Sequence, residues 1–390
     1  MEQLYALYRS LLADTGTKFV RYLHNDIDWN ARMIAIMGSR GVGKTTLLLQ
    51  HIKLYEDPDQ TLFISADDLY FSEHRLFDTA ADFYRNGGKR LYIDEVHKYA
   101  DWAKELKMMY DYFTKLQVVF TGSSVLDIYK GSADLSRRVL LYTLHGLSFR
   151  EYLNLTSSKQ LPPYSLDDIV AQRVTLPDDI PHPLPLYKAY LRGGYYPFFL
   201  EGSYEQRLRH TINIALETDI PTFSGMNAAS IKKLKQLLYI ISQSVPFKPN
   251  FTKIAQAMDV HRNQVADYLY YLECAGIVMQ LRTETKGIRA LGKTEKVYLN
   301  NANLMYVLSE NTPDIGNLRE TMFFNQMNVR QPVFASPVSD FEVDGRTFEV
   351  GGKNKKQKQL ADVPDSFVVK DDIEYGSGNV IPLWHFGMNY

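Results

Sequence analysis

The chain lacks the features that mark secreted and membrane-spanning proteins. Its 390 residues include a single cysteine, Cys274, so an internal disulfide framework is excluded. Cys274 lies in an apolar stretch, which favours a core position over a nucleophilic one. No apolar run approaches the roughly 20 residues that cross a bilayer. The N-terminus also lacks the basic-then-apolar order of a signal peptide. We therefore expect no membrane association and a cytoplasmic location.

An excess of charge of either sign is also missing. The 44 basic and 45 acidic residues nearly cancel, so nothing draws the whole chain towards nucleic acid or acidic membranes. No cluster of cysteine and histidine with metal-ligand spacing stands out, and no Ser-His-Asp arrangement does. The length predicts two or three domains, and a hydrophobic content of 45% can build their cores.

The chain does contain a glycine-rich loop, GSRGVGKT, which matches the pattern G-x-x-x-x-G-K-[ST]. Glycines let successive backbone N–H groups point at one anion. Lys44 would reach the β- and γ-phosphates of a nucleotide, and the Thr45 hydroxyl would bind Mg²⁺. The apolar run before the loop predicts a buried strand, and TTLLLQHIKLY after it predicts a helix whose N-terminus favours anions. The predicted nucleotide-binding residues are Gly38, Ser39, Arg40, Gly41, Val42, Gly43, Lys44, Thr45 and Thr46.

A second motif, KRLYIDEVHKY, places two adjacent acids at the end of a predicted strand. Asp94 would hold the second side of the Mg²⁺, and Glu95 would orient and polarise the attacking water. The alternative is a solvated acidic pair, which would be common in a chain without a phosphate loop. The paired acids resemble those of ATPases of the additional-strand glutamate class, and this resemblance implies ATP rather than GTP.

A third predicted strand, LQVVFTGSS, ends in hydroxyl side chains. The likeness to AAA-type ATPases implies that this strand lies between the other two. It also implies that Ser123 or Ser124 senses the γ-phosphate. Alternatively, Ser124 caps the next helix.

The segment ADLSRRVLLYTLHGLSFREYL resembles a family of prokaryotic ATPases with an AAA-like core (AAA_14) and a DUF4143-type C-terminal region. The family pattern is Ser-x-Arg, a short strand, and L-S-F-R-E-[YF]-L, matched here by Leu147 to Leu153. The resemblance implies that Arg137 or Arg138, with Arg138 preferred, is an arginine finger that completes a neighbour's site. This role requires a homo-oligomer, and the alternative is a surface ion pair.

Residues 250–281 read as a helix, a tight break and a second helix, the pattern of a winged helix. Polar residues from His261 to Gln264 begin the second helix, where a DNA-reading helix meets base edges. Double-stranded DNA is therefore one predicted partner, although winged helices also serve only as packing or protein-docking modules. The basic residues that follow, on a possible wing, are Arg282, Lys286, Arg289, Lys293 and Lys296.

The last segment resembles the PD-(D/E)XK nuclease fold, which needs three acids and a lysine to hold a metal and activate water. Glu320, Asp340 and Glu349 match the three acids. The lysine expected two residues after Glu349 is replaced by Gly351, and Lys353 is displaced beyond two glycines. We therefore favour vestigial acids over a working nuclease.

Together these patterns predict an α/β P-loop NTPase core of the AAA-like, additional-strand glutamate class, followed by helical, winged-helix-like and restriction-endonuclease-like α+β parts. The predicted function is a Mg²⁺-dependent ATPase that couples hydrolysis to movement of its C-terminal modules. The alternatives are a nucleotide-gated DNA-binding regulatory switch and an ATP-dependent nuclease. The predicted divisions are 1–155 for the core, 156–225 for a connector and helical lid, 226–300 for the winged helix, and 301–390 for the nuclease-like domain.

Overall fold

The protein is described by a computed structural model in which the chain divides into two compact units. The first unit is Met1–His145 and the second is Gly146–Tyr390, whereas the predicted core extended to residue 155. The structure describes residues 1–122, 135, 137–243, 248–284, 293–309, 312–355, 360 and 362–390.

The first unit is built on a five-stranded parallel sheet with interspersed helices. Its strands are β1 (Met33–Met37), β2 (Thr61–Ser65), β3 (Arg90–Asp94), β4 (Gln117–Gly122) and β5 (Leu140–Thr143). Its helices are α1 (Glu2–Asp14), α2 (Lys44–Tyr55), α3 (Leu76–Arg85) and α4 (Trp102–Tyr112). The strand order is β2-β3-β4-β1-β5, so β4 lies between β1 and β3 as expected.

The burial of these strands follows from their composition. All five residues of β1 are buried, and β3 and β4 are buried apart from their first residues. Such continuous apolar runs suit a parallel sheet that is covered on both faces. Because every strand pair is parallel, the carboxyl ends of β1 and β3 lie at the same edge of the sheet. The glycine-rich loop and the acidic pair therefore meet there.

The second unit begins with helices and ends with a mixed sheet. Its helices are α5 (Phe149–Ser157), α6 (Leu166–Val170), α7 (Pro183–Gly193), α8 (Tyr204–Ile214), α9 (Ile220–Ser224), α10 (Ala228–Gln243), α11 (Phe251–Met258), α12 (Arg262–Cys274), α13 (Ala302–Leu308) and α14 (Ile315–Met327). Its strands are β6 (Val278–Arg282), β7 (Thr294–Leu299), β8 (Val333–Ala335), β9 (Phe341–Val343), β10 (Arg346–Gly351), β11 (Ser366–Lys370) and β12 (Val380–Pro382).

The terminal sheet has the order β12-β11-β10-β9-β8. The sequence FEVDGRTFEV predicts a hairpin that turns at Asp344 and Gly345. The hairpin is present, since β9 and β10 are antiparallel and these two residues have φ of 51° and 72°. Positive φ at both positions matches the twist of a two-residue hairpin. A 3₁₀ helix, Leu383–Met388, is the last of the described elements. Buried aromatic side chains of α14, the terminal sheet and this 3₁₀ helix pack together, and these are Phe323, Phe341, Phe348 and Phe386.

Helices α11 and α12 are followed by the antiparallel hairpin β6–β7. The break between the two helices falls at the predicted position, with Asp259 at φ of 50°. Cys274 ends α12, and burial raises the pKa of its thiol to about 11. Within the described ranges, no helix is long and apolar enough to cross a membrane.

Candidate nucleotide site

The glycine-rich loop curls between β1 and α2, and its glycines are required by its backbone. Gly41 and Gly43 have φ of 82° and 99°, a region that residues with a Cβ rarely adopt. Gly38 is required by close packing, because a Cβ there would lie 2.3 Å from the carbonyl oxygen of Leu144. The loop thus has the compact form that can cradle a phosphate.

Lys44 is the first residue of α2 and is only 5% exposed. Its Nζ donates to the carbonyl oxygens of Gly38 at 2.9 Å and Ser39 at 3.2 Å. The ammonium therefore lies against the backbone of the loop. Other predicted loop residues are more open, since Ser39 and Arg40 are half-buried and Thr46 is exposed.

Thr45 and Asp94 lie together, as the prediction of a magnesium site requires. The Thr45 hydroxyl donates to Asp94 Oδ2 at 2.7 Å. A hydroxyl and a carboxylate are the oxygen ligands that Mg²⁺ prefers, so these two side chains fit the ion. Burial raises the pKa of Asp94, although the hydroxyls of Thr121 and Thr45 counteract this rise. A cation held here would favour the charged carboxylate.

Thr121 is one of the hydroxyl residues at the end of the third predicted strand, where the resemblance implies a γ-phosphate sensor. Its hydroxyl donates to Asp94 Oδ1 and accepts a hydrogen bond of 3.0 Å from the backbone N–H of Glu95. Thr121 lies on β4 and is fully buried. Thr121 could have been found from sequence by its place at the end of the strand beside β3. Its one hydroxyl links Asp94 to Glu95.

Glu95 follows β3 in a left-handed conformation, with φ of 50°. Such backbone geometry costs free energy in a residue with a side chain and recurs at functional sites. Its Oε2 lies 3.4 Å from Nε2 of His97. His97 therefore lies beside the acid that would activate water.

Arg21 is a buried residue that sequence reasoning missed. Its guanidinium donates to the carbonyl oxygen of Val42 in the loop and, at 2.7 Å, to that of His145. The loop is thereby tied to the chain just beyond β5. No local motif marks Arg21, because its partners are 21 and 124 residues away along the sequence.

Arg138 lies away from the loop of its own unit. It precedes β5, which runs parallel to β1, so it lies at the amino edge of the sheet whereas the loop lies at the carboxyl edge. Its Nε and Nη2 atoms contact Asp111 of α4 at 3.1 and 3.3 Å. A finger role thus requires a second copy of the chain. The predicted sensors Ser123 and Ser124 lie outside the described residues.

The structure also gathers the three acids that the sequence analysis assigned to a vestigial nuclease site. Glu320 and Asp340 both contact Lys296, at 2.9 and 3.5 Å. Glu349 forms an ion pair with Lys355. Within the ranges that the structure describes, no group of three or more His, Cys, Asp or Glu side chains is arranged to hold a metal ion.

The described basic residues of the predicted wing have acidic partners. Arg282 pairs with Glu273 at 2.6 Å, and Lys293 pairs with Glu295 at 2.9 Å. Lys296 is engaged by the acids described above. The remaining two, Lys286 and Arg289, lie outside the described residues.

Two family models match different parts of the chain. Residues 30–153 match the family model AAA_14, described as an AAA domain. The first unit is an AAA-like P-loop core. Residues 185–314 match a different model from the expected DUF4143, namely DUF8612, a domain of unknown function.

A curated relative and several solved structures are also similar to this chain. The uncharacterized protein MJ1637 of Methanocaldococcus jannaschii is 26% identical over 306 residues, which are 72% of this chain and 62% of that protein. The chain therefore spans less than two thirds of that relative. The Walker-type ATPase PABY2304 of Pyrococcus abyssi has a TM-score of 0.41 at 12% identity, covering 76% of this chain and 99% of that one. AMPPCP-bound DnaA from Aquifex aeolicus has a TM-score of 0.28 at 15% identity, covering 70% and 88%.

Proposed function

We propose that the protein is a Mg²⁺-dependent ATPase whose first unit holds the nucleotide. The observation that carries this proposal is the contact between the Thr45 hydroxyl and Asp94, with Glu95 adjacent and its N–H bound by Thr121. The proposal is supported because the glycine-rich loop, two candidate magnesium ligands and a candidate base lie at one edge of the sheet. Mg²⁺ bound by Thr45 and Asp94 would supply neutralisation of the phosphate charge.

Lys44 would bind the phosphates, and Glu95 would act on the attacking water. Lys44 would turn from the carbonyls of Gly38 and Ser39 towards the β- and γ-phosphates, so nucleotide binding replaces two neutral acceptors with anionic ones. Glu95 would accept a proton from the attacking water. The preference for ATP over GTP rests on the resemblance of the Asp94–Glu95 pair. Competition of GTP against hydrolysis of labelled ATP tests it.

The test is steady-state ATP hydrolysis by the full chain with Mg²⁺, alongside equilibrium binding of a fluorescent ATP analogue. Lys44→Ala is expected to abolish binding and turnover. Glu95→Gln is expected to keep binding but to lower kcat by about 10² to 10⁴, the usual contribution of a positioned base. Glu73→Gln, at an exposed acid of the same unit, is the matched control and is expected to behave as wild type. Full activity in Lys44→Ala would rule out the proposal.

We further propose that hydrolysis is coupled to conformational change in the second unit. One candidate output is DNA binding by α12, because Arg262 and Asn263 are exposed at its start. The acid partners of Arg282, Lys293 and Lys296 weaken this candidate, since phosphate contacts would have to replace existing ion pairs. Turnover measured with and without double-stranded DNA separates the two cases. Salt-sensitive stimulation supports a DNA-coupled ATPase, and turnover indifferent to DNA points to a protein partner.

A further inference from the structure

The acids Glu320, Asp340 and Glu349 lie near one another in the second unit. Glu320 projects from α14, Asp340 precedes β9, and Glu349 lies on β10. Asp340 and Glu349 lie close enough for their charges to interact, as do Asp340 and Glu320. The predicted acids are therefore neighbours in space, and their negative charges require a nearby cation.

The cation beside Glu320 and Asp340 is an ammonium of the protein itself. Lys296 Nζ lies 2.9 Å from Glu320 Oε2 and 3.5 Å from Asp340 Oδ1. The Tyr298 hydroxyl donates to the same Glu320 oxygen at 2.6 Å. Lys296 and Tyr298 are two residues apart on β7, so both side chains leave the same face of the strand. Two adjacent donors of one strand thus bind one carboxylate of α14.

Asp340 and Glu349 have further donors. Asp340 Oδ2 accepts from the backbone N–H of Val350 at 3.0 Å. Glu349, only 5% exposed, accepts from the Ser339 hydroxyl and forms an ion pair with Lys355. A divalent ion needs several oxygens within about 2.0 to 2.6 Å, and here N–H and O–H groups bind those oxygens instead.

Two lysines supply positive charge to the cluster without a metal. Lys296 and Lys355 bring two positive charges to three carboxylates, which is the charge that one divalent ion would supply. The side chains of Lys296, Glu320 and Asp340 are each less than one fifth exposed, so removing one partner would leave a poorly solvated charge.

We infer that this acidic cluster is closed to divalent metals because Lys296 is its resident cation. The cluster fastens β7 to α14 and to the chain entering β9, and it does not perform metal-dependent nuclease chemistry. This inference stands apart from the proposed ATPase, since it involves only residues of the second unit.

Manganese binding by the full chain tests the inference. The measurement is titration calorimetry without nucleotide, in an Asp94→Asn background that removes the magnesium ligand of the first unit. This background is expected to bind no Mn²⁺ at the acidic cluster. Adding Lys296→Met is expected to create one site, at least about tenfold tighter than any residual binding. Adding Glu320→Gln to that variant is expected to abolish the new site.

The matched control is Lys293→Met, which removes a lysine that is 79% exposed and lies directly before the same strand. It is expected to gain no Mn²⁺ site. Two results would overturn the inference. One is Mn²⁺ binding with Lys296 intact that is lost on Glu320→Gln, since the ammonium would then yield to a metal. The other is a Lys296→Met variant that folds but gains no site.

Thermal melting provides a second readout in case Lys296→Met is too unstable for calorimetry. The single variant is expected to melt lower than wild type, because two partly buried carboxylates lose their cation. Combining it with Glu320→Gln removes one of those charges and is expected to recover part of the loss. A double variant that melts no higher than the single one would show that Lys296 contributes packing alone, which contradicts the inference.

Discussion

Thr121 contributes one hydroxyl that serves both acids of the candidate nucleotide site. It donates to Asp94 and accepts from the N–H of Glu95, whose left-handed φ needs such support. Its effect on chemistry would therefore be indirect, through the placement of two carboxylates.

Thr121→Val keeps the shape of the side chain and removes both hydrogen bonds. We expect kcat for ATP to fall about 10- to 100-fold, the usual cost of losing a partner behind a metal ligand. The affinity for ATP should change much less, and Thr121→Ser should restore most of the turnover. Steady-state kinetics and equilibrium nucleotide binding check this. Equal kcat in the valine variant and wild type would contradict the positioning role.

The buried imidazole of His385 is expected to make the stability of the second unit sensitive to acid. It is 5% exposed, and burial lowers the pKa of its imidazole to about 3. The folded state therefore holds it neutral, whereas the unfolded state takes up a proton near pH 6.5. The free energy of unfolding should fall as pH decreases from about 6.5 towards 3, by roughly 5 kcal/mol from this group at most.

His385→Phe cannot take up the proton and keeps an aromatic ring against Trp384. We expect its melting temperature to decline less steeply than that of wild type between pH 7 and pH 4, in the window set by this shift. His182→Gln, at a histidine that is 73% exposed, is the matched control and should retain the wild-type slope. Parallel slopes for wild type and His385→Phe would contradict the assignment.

At the scale of elements, the phosphate loop is held from outside by Arg21. Its two hydrogen bonds join the loop at Val42 to His145 beyond β5, so the loop is braced before any nucleotide arrives. Preorganisation of this kind lowers the cost of ordering a binding loop.

Arg21→Met retains an apolar stem of similar length and removes both bonds. We expect a weaker affinity for ATP, by about tenfold for one or two lost charged hydrogen bonds, with kcat affected less. Arg9→Met, at an exposed arginine of α1, serves as the control. Fluorescence titration with an ATP analogue measures the effect. A variant that binds ATP as tightly as wild type would show that the loop needs no brace.

Elements with a local signature could be predicted from the sequence. The loop, the helix after it, the acidic pair and the Asp344–Gly345 turn each depend on residues within a few positions of one another. Arg21 and Lys296 carried no such signal for their partners. Lys296 lies 24 and 44 residues from Glu320 and Asp340, and only the folding of β7 beside α14 brings them together. From the sequence, Lys296 was predicted to lie on a possible DNA-binding wing, whereas in the structure it pairs with Glu320 and Asp340.

At the scale of the whole molecule, Arg138 distinguishes a monomer from an assembly. Its ion pair with Asp111 is partly exposed, and such pairs contribute little to stability. Its place at the amino edge of the sheet means that only a neighbouring copy could use it as a finger.

We expect Arg138→Ala to lower turnover by about 10³-fold if the finger role holds. Asp111→Asn should leave turnover near that of wild type, because it removes the intramolecular partner and spares the arginine. Turnover of both variants, with sedimentation velocity in the presence of ATP, checks this. If the two substitutions have equal and small effects on turnover, Arg138 serves only in a surface ion pair.

The single cysteine gives the whole chain a practical property. Since the pKa of the Cys274 thiol is raised to about 11, little thiolate exists at neutral pH, and maleimide reagents should modify it slowly. A cysteine introduced at an exposed position of either unit would therefore carry a dye selectively without replacement of Cys274. Pairs of such dyes could report movement between the units during turnover by energy transfer in single molecules.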